Sequence, residues 1–524
     1  MKNPARARFY FLPLILGLLG FFFQLSKSKK DTWVVSVLFI MTGLAIIVYL
    51  NQTPMQPRER DYAYAGSFYA FAIWIGFGVL SLFEWIKKRT GKGVLVAVSV
   101  TLISLILVPA NMAKEGWHSH DRSGKYATRD FARMYLESCA PNAILFTNGD
   151  NDTFPLWYAQ EVEGIRPDVR VVNYMLASGA WYTDQMFKQE YNSAPLPLTI
   201  HASKYDLGLF NALPVYPMIK GQVALRDAIG FIADDDPRTK IPLQSGKKID
   251  YLPSKNLYLK VDSAAVVQSG TVAPKNAGKI VKEIHWKVKQ NYLYRSDLML
   301  LDLIATNNWK RPIYFANPSS VSKVLNVDKY CHMEGIVYRF KPTLAADYIK
   351  RVGGVDADDS YKILMDPKTR WGRLNEPDVN VDRESFRNST IAKQSYVRLA
   401  QSLVNLHRYD SAIKVLDKGL YFFPGNKFPY DYFTTHWALL YYQAGAVKKG
   451  NKLVNAIFNR YMDDLRYYNS LNERFVPYYN DNIREALASL QQLGQITKDY
   501  GQKKLSKKME DAFYNQIKDM RAVK

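Results

Sequence analysis

Four apolar runs crowd the start of the chain, at residues 9–25, 33–50, 65–86 and 94–113. Each approaches the roughly 20 apolar residues with which an α-helix crosses a bilayer. From residue 114 to 524 there is no comparable run. A chain patterned this way places its first part in a membrane and folds the rest in water. The predicted architecture is a membrane α-helical anchor of about four spans (1–113) followed by a large soluble body.

Orientation follows from the short loops. Lys27, Lys29 and Lys30 lie between the first two runs; Lys87, Lys88, Arg89 and Lys92 lie between the third and fourth. Basic loops stay cytoplasmic. Residues 51–64 and everything after the fourth run then face the other side, so the body is periplasmic on a bacterial inner (cytoplasmic) membrane. The amino-terminal tail breaks the pattern, because it would lie outside yet carries Lys2, Arg6 and Arg8. Either the first run does not span or it is not the true start of the protein. No small-residue cleavage site follows it.

The net charge of +22 has an obvious partner in a membrane protein, the anionic head groups of the lipid bilayer. No nucleic-acid motif accompanies it. Aromatic residues make up 14% of the chain, with 36 Tyr, enough to build substantial cores outside the membrane. The two cysteines, Cys139 and Cys331, can form one disulfide or remain two buried thiols.

Residues 126–138 show helical spacing, 143–147 (AILFT) an apolar strand, 154–163 a helix with Thr153 as N-cap and Pro155 in its first turn, and 169–175 a second strand. This β-α-β order predicts a parallel sheet. Residues 298–306 read as a buried helix and 313–316 as a core strand. Segments 257–261 and 284–288 read as smaller strands, and 335–340 closes the domain. These elements make an extracytoplasmic α/β domain over 114–384. From 385 to 524 the pattern is helical. Tyr396, Leu399, Ala400, Leu403, Ala412, Leu416, Gly419 and Pro424 fall at tetratricopeptide spacing. A weaker copy follows through Trp437 to Phe458 and a third helix pair lies near 480–516. This C-terminal region reads as α-helical tetratricopeptide-like repeats, with a generic helical bundle as the alternative.

Three places could carry chemistry. The loop between the second and third runs holds Arg58, Glu59, Arg60 and Asp61. Two Arg can clamp a lipid-linked phosphate through paired hydrogen bonds, with Glu59 and Asp61 orienting them or acting as base. Ordinary interfacial charge, or a self-paired cluster docking the body, explains the same residues. The acidic turn Asn148-Gly149-Asp150-Asn151-Asp152 sits at the carboxyl end of a predicted strand, where ligands of open α/β sheets bind. Asp150 and Asp152 match the Asp-x-Asp pair that nucleotide-sugar transferases use for a divalent metal, but nucleotide sugars are cytoplasmic and this loop is outside. Capping of the next helix by Asp152 is the competing reading. His118, His120 and Asp121 could begin a zinc site but lack further ligands. Asp234-Asp235-Asp236 reads as a solvated turn.

The phrases NQTPMQPRERDYAYAGSFYAF, HDRSGKYATRDFARMYLESC, ILFTNGDNDTFPLWYAQE and NNWKRPIYFAN resemble a Bacteroidetes family of polytopic membrane proteins of unknown function, related to the transmembrane protein O-mannosyltransferases of animals. The resemblance covers about residues 30–345. It implies a GT-C type glycosyltransferase that takes sugar from a polyprenyl-phosphate donor outside the cytoplasm, with a helical-repeat region at its carboxyl end. No cofactor is expected, with a divalent metal as the alternative. Members of the family begin with more spans, and their catalytic acid sits in an early outer loop that this chain lacks. The catalytic residues are therefore unknown. The expected function is the C-terminal portion of such an enzyme without its catalytic amino-terminal spans, with a protein acceptor and a separate membrane subunit as partners. The alternative is a non-catalytic membrane-anchored adaptor that binds envelope proteins through its helical repeats.

Overall fold

The computed structural model describes residues 6–52, 60–205, 212–243, 246–319, 321 and 325–522. Contacts divide the chain into two compact units, Met1–Ser123 and Gly124–Lys524.

The first unit is helical. Three rods are long and apolar enough to cross a membrane: Lys29–Leu50, Asp61–Thr90 and Gly93–His120, of 22, 30 and 28 residues. The first expected run forms the helix Leu12–Lys27, whose 16 residues rise about 24 Å, short of the roughly 30 Å hydrocarbon core. Local chemistry shapes the rods. Gly43 breaks the first one between Thr42 and Leu44. Pro109 sits in a π-helical turn, Ile106–Ala110, that the third rod accommodates without ending. Leu12–Lys27 packs backbone to backbone against Ala65–Thr90. A Cβ on Gly20 would lie 1.7 Å from the carbonyl oxygen of Trp74, and one on Gly78 would lie 2.1 Å from that of Leu16, so only glycine permits the crossing. Trp74 Nε1 donates to the buried Gln24 Oε1 at 2.8 Å. Outward side chains are apolar: Val48 and Val94 are 78% and 82% exposed, which suits lipid and not water. Lys27 pairs with Glu84 at 2.9 Å, one turn before Lys87, which brings both basic loops to one end of this unit. At the other end, the Arg8 amide donates to Glu115 and Asn111 donates to the Arg8 carbonyl.

The second unit is built on a six-stranded mixed sheet. Its strands are β1 (Ile144–Thr147), β2 (Arg170–Asn173), β3 (Ile313–Phe315), β4 (Cys331–Glu334), β5 (Val337–Phe340) and β6 (Gly354–Val355), in the spatial order β6-β4-β5-β3-β1-β2. β1 lies parallel to both β2 and β3, while β5 is antiparallel to β3 and β4. The predicted parallel β-α-β unit is thus present. The segment 335–340, expected to close the domain, runs inside the sheet as β5, and the edge on that side is β6.

Alternation along the strands feeds two cores. Ile144, Phe146, Val172, Ile313 and Phe315 face one layer, which contains the helix Arg295–Asn307. Leu145, Val171, Tyr314 and Met333 face the other, which contains Ala127–Glu137 and the carboxyl-terminal helices. Both faces are covered, so β1 is buried along its whole length, as a central parallel strand requires. The cysteines are free thiols in opposite layers, which removes the disulfide alternative. Burial pushes both thiols well above their ordinary range. Two of the smaller predicted strands form an antiparallel pair, Asn256–Lys260 with Glu283–Lys287.

Beyond residue 382 the chain forms three successive helical hairpins: Arg383–Asn405 with Tyr409–Phe422, Thr434–Gln443 with Val447–Asn469, and Asn480–Asp499 with Lys503–Ala522. Tyr396, Leu399, Ala400, Leu403, Ala412 and Leu416 are all fully buried between them. These hairpins share one continuous hydrophobic core with a face of the sheet.

Candidate functional site

The acidic turn lies at the carboxyl end of β1, where the chain leaves β1 for β2 on one side while β3 flanks it on the other. Such a switch point is where α/β sheets bind ligands. Its floor is a buried polar network. Thr147 and Thr153 hydroxyls meet at 2.7 Å, Asn173 Nδ2 donates to Thr153 Oγ1 at 2.9 Å, and Asn173 Oδ1 accepts the Leu176 amide. The Tyr182 hydroxyl accepts from the Asn173 amide at 2.9 Å, and burial raises its own pKa to about 12.

The helix after β1 spans Asp150–Glu161 and begins four residues before the expected start at 154. Pro155 therefore lies inside it, with no N–H for the carbonyl of Asn151. The first turn is held instead by Asp152 and Thr153. The Asp152 carboxylate accepts the amides of Asn148 and Gly149, both at 2.8 Å, and Thr153 Oγ1 donates to the Gly149 carbonyl at 2.6 Å. Both Asp152 oxygens accept backbone amides, whereas Asp150 is exposed. A Cβ on Gly149 would meet nothing within 4 Å, so the space over the turn is open.

Beside the turn runs a chain of aromatic rings. Phe154 and Trp157 lie 5.3 Å apart, Trp157 and Tyr182 6.4 Å, and Trp181 and Tyr182 5.5 Å. Trp181 is 60% exposed. An exposed carboxylate beside exposed rings can hold a polar ligand with an apolar face.

Arg58 and Glu59, in the loop between the second and third runs, lie outside the described residues. Arg60 and Asp61 are exposed and open a short 3₁₀ turn, Asp61–Tyr64, at the start of the second rod. They belong to the first compact unit, whereas Asp150 and Asp152 belong to the second. His120 is occupied locally, its Nδ1 lying 2.8 Å from the Gly116 carbonyl, and Asp121 caps Ser123. In the Asp234–Asp236 turn, Asp236 accepts the Arg238 amide.

Among the described residues, the carboxylates near enough to share a cation are Glu334, Asp356 and Asp359. That place is filled by Lys341, whose Nζ lies 2.5, 2.7 and 3.7 Å from them. Burial alone would lower the Lys341 pKa, but Glu334 and Asp356 together raise it. The Tyr314 hydroxyl donates to Glu334 at 2.6 Å. The sequence reading missed this cluster and the other buried cations. Arg170 donates to the carbonyls of Gln185 and Lys188. Arg311 reaches the carbonyls of Asn142, Ala194 and Pro195, and burial, with Arg170 nearby, lowers its pKa to about 10. Their signal is a charge set inside an apolar strand or its flank, as in VRVV and KRPIYF. These cations clamp loops through backbone carbonyls.

Residues 128–359 match the family described as TMEM260-associated domain 2, a span that takes in all six strands. A stretch of 121 residues is 25% identical to the protein O-mannosyl-transferase tmem260 of Dictyostelium discoideum. It covers 21% of this chain and 15% of that protein's length. No solved structure matches. Over part of its length the chain is thus similar to O-mannosyltransferase-like proteins.

Proposed function

We propose that the chain takes part in protein O-mannosylation as a GT-C-like membrane glycosyltransferase component, using a polyprenyl-phosphate sugar donor and a protein acceptor. The observation that carries this reading is the joining, in one polypeptide, of apolar rods to a segment matching the TMEM260-associated domain. In this reading the helix Leu12–Lys27 is a fourth span, short and tolerated by local thinning of the bilayer. Support comes from the two basic loops lying at one end of the membrane unit. The basic end is cytoplasmic in a bacterial inner membrane, and the body is on the outer side. Arg58 and Arg60 hold the donor phosphate, with Glu59 and Asp61 beside them, and the open turn at Asp150 with its flanking rings receives acceptor or sugar. The boundaries 1–113, 114–384 and 385–524 are kept as functional divisions, the last as tetratricopeptide-like repeats supported by their hairpin order.

The test is sugar transfer to protein in membranes carrying the full chain. Arg58→Ala and Arg60→Ala should each abolish transfer and leave thermal unfolding unchanged; undiminished transfer sinks the donor clamp. A second reading, the non-catalytic adaptor, is favoured by one feature. A hollow of about 470 Å³ between hairpins is lined by Asp431, Tyr432, Phe433, Arg484 and Glu485, with Phe433 65% exposed. If the chain is an adaptor, the Phe433→Ala/Arg484→Ala pair loses a co-purifying envelope protein while sugar transfer is absent from the start.

A further inference from the structure

A two-stranded ribbon in the body, Ala212–Pro214 against Tyr292–Tyr294, has one buried and one bare face. Leu213 and Leu293 pair on the buried side and are fully covered. Tyr292 and Tyr294 point the other way, 46% and 49% exposed, with ring centroids 5.3 Å apart. The strand carrying Pro214 continues with the same alternation: Val215 is buried, and Tyr216 is 53% exposed. After Pro217 come Met218 and Ile219, 63% and 46% exposed. Five large apolar or amphipathic side chains are thus exposed on this ribbon and the segment that continues it.

They are held there firmly. The amides of Val215, Tyr216 and Ile219 donate to the carbonyls of Asn291, Leu252 and Pro253 at 2.9–3.0 Å. Side chains on so well tied a backbone have no local core to fold into. Cations flank them: Lys220 follows Ile219, and Lys255 Nζ is anchored 2.8 Å from Asn291 Oδ1, next to Tyr292.

We propose that this ribbon and its continuation dock on the bilayer surface, with Tyr216, Tyr292 and Tyr294 at head-group level, Met218 and Ile219 among the first acyl carbons, and Lys220 and Lys255 on anionic lipid phosphates. Three arguments favour lipid over a protein partner. Tyrosines around a small aliphatic tip, with lysines beside them, are the composition of an interfacial anchor. The charge suits anionic head groups. Between the last apolar rod, ending at His120, and the first helix of the body, starting at Ala127, lie six residues, which span at most about 20 Å, a short tether that keeps a lipid surface within reach of the body. The inference stands apart from sugar transfer, since an adaptor would dock equally.

The test uses the full chain in vesicles, with Met218→Cys carrying an environment-sensitive fluorophore. Native Cys139 and Cys331 are buried and stay unlabelled. The expected result is strong quenching by lipids spin-labelled near the head of the acyl chain, absent for a label at Asp463→Cys on the exposed face of a hairpin helix. In phosphatidylglycerol-rich vesicles, Lys220→Gln and Lys255→Gln should each lower the docked-to-undocked ratio about fivefold. An aqueous, unquenched label at position 218 overturns the proposal. So does a label shielded from water but untouched by the lipid quencher, which would assign the ribbon to a second copy or a protein partner.

Discussion

Lys341 shows how much depends on one buried charge. It is 6% exposed and closes an arrangement of three carboxylates against the sheet. Removing one partner of a buried ion pair leaves the other uncompensated. Lys341→Met should therefore cost about 3–5 kcal/mol of stability, read as a large drop in the unfolding midpoint. A change within the scatter of surface substitutions would show that the carboxylates rearrange or take up protons. Next to it, His332 is buried with Nε2 3.0 Å from the Thr343 carbonyl. Burial holds its pKa below 6.5, with Lys341 pushing the same way and Asp356 and Glu334 opposing. Above pH 6.5 the ring is neutral in folded and unfolded chains alike, and its contribution is full. As pH falls below 6.5 the unfolded chain takes a proton first, so stability is lost. His332→Gln should flatten the part of the stability profile just below pH 6.5. None of this was legible in the sequence, because Glu334, Lys341, Asp356 and Asp359 are brought together by sheet pairing and a helix start that no local spacing announces.

At the scale of elements, patterning was a good guide wherever burial is two-sided or periodic. The strands at 144–147 and 313–315 fall within apolar runs that the sequence displays, and the helix at 295–307 contains the run read at 298–306 but starts three residues earlier, at Arg295. The helix after β1 was harder. Pro155 suggested a first turn at 154 because proline is common there, yet the carboxylate of Asp152 and the hydroxyl of Thr153 secure a turn that begins at Asp150. Local hydrogen bonding outweighed the proline rule. The two aspartates thus differ: Asp152 is engaged at the helix start and Asp150 is exposed. Asp152→Ala removes two accepted amide bonds at a helix start and should destabilise the body by about 1 kcal/mol. Asp150→Ala, at an exposed position, should leave stability within about 0.5 kcal/mol. Comparing the two unfolding midpoints checks the assignment, and if Asp150 serves a ligand, its substitution alone will lower transfer without lowering the midpoint.

For the whole molecule, the sequence divides the body at about residue 384, where mixed elements give way to helices, but the packing runs across that position. Trp371 is 1% exposed and touches both sides: its ring lies 4.8 Å from Phe131 and 6.0 Å from Phe423, and its Nε1 donates to the Tyr396 hydroxyl. Beside it the Gly372 amide donates to buried Asp130 at 3.0 Å. Gly372 has φ +66°, and a Cβ there would collide with Ala127 at 2.3 Å, so the connection is molded to the first helix of the body. Further along, Arg398 of the first hairpin donates to the Tyr338 hydroxyl on β5 and to the Gly353 carbonyl before β6. A helical region that merely followed the sheet would be separable; one that supplies half a core is not. Ending the chain at residue 384 should therefore expose the face carrying Leu145, Val171, Tyr314 and Met333, and the remainder should be rapidly digested by protease where the full chain resists. Trp371→Ala, which keeps every helix, should cost about 3–5 kcal/mol by opening a cavity between the two regions. If the truncated chain instead resists protease as well as the full chain, the hairpins are an independent module, and deleting them becomes a valid way to ask what they bind.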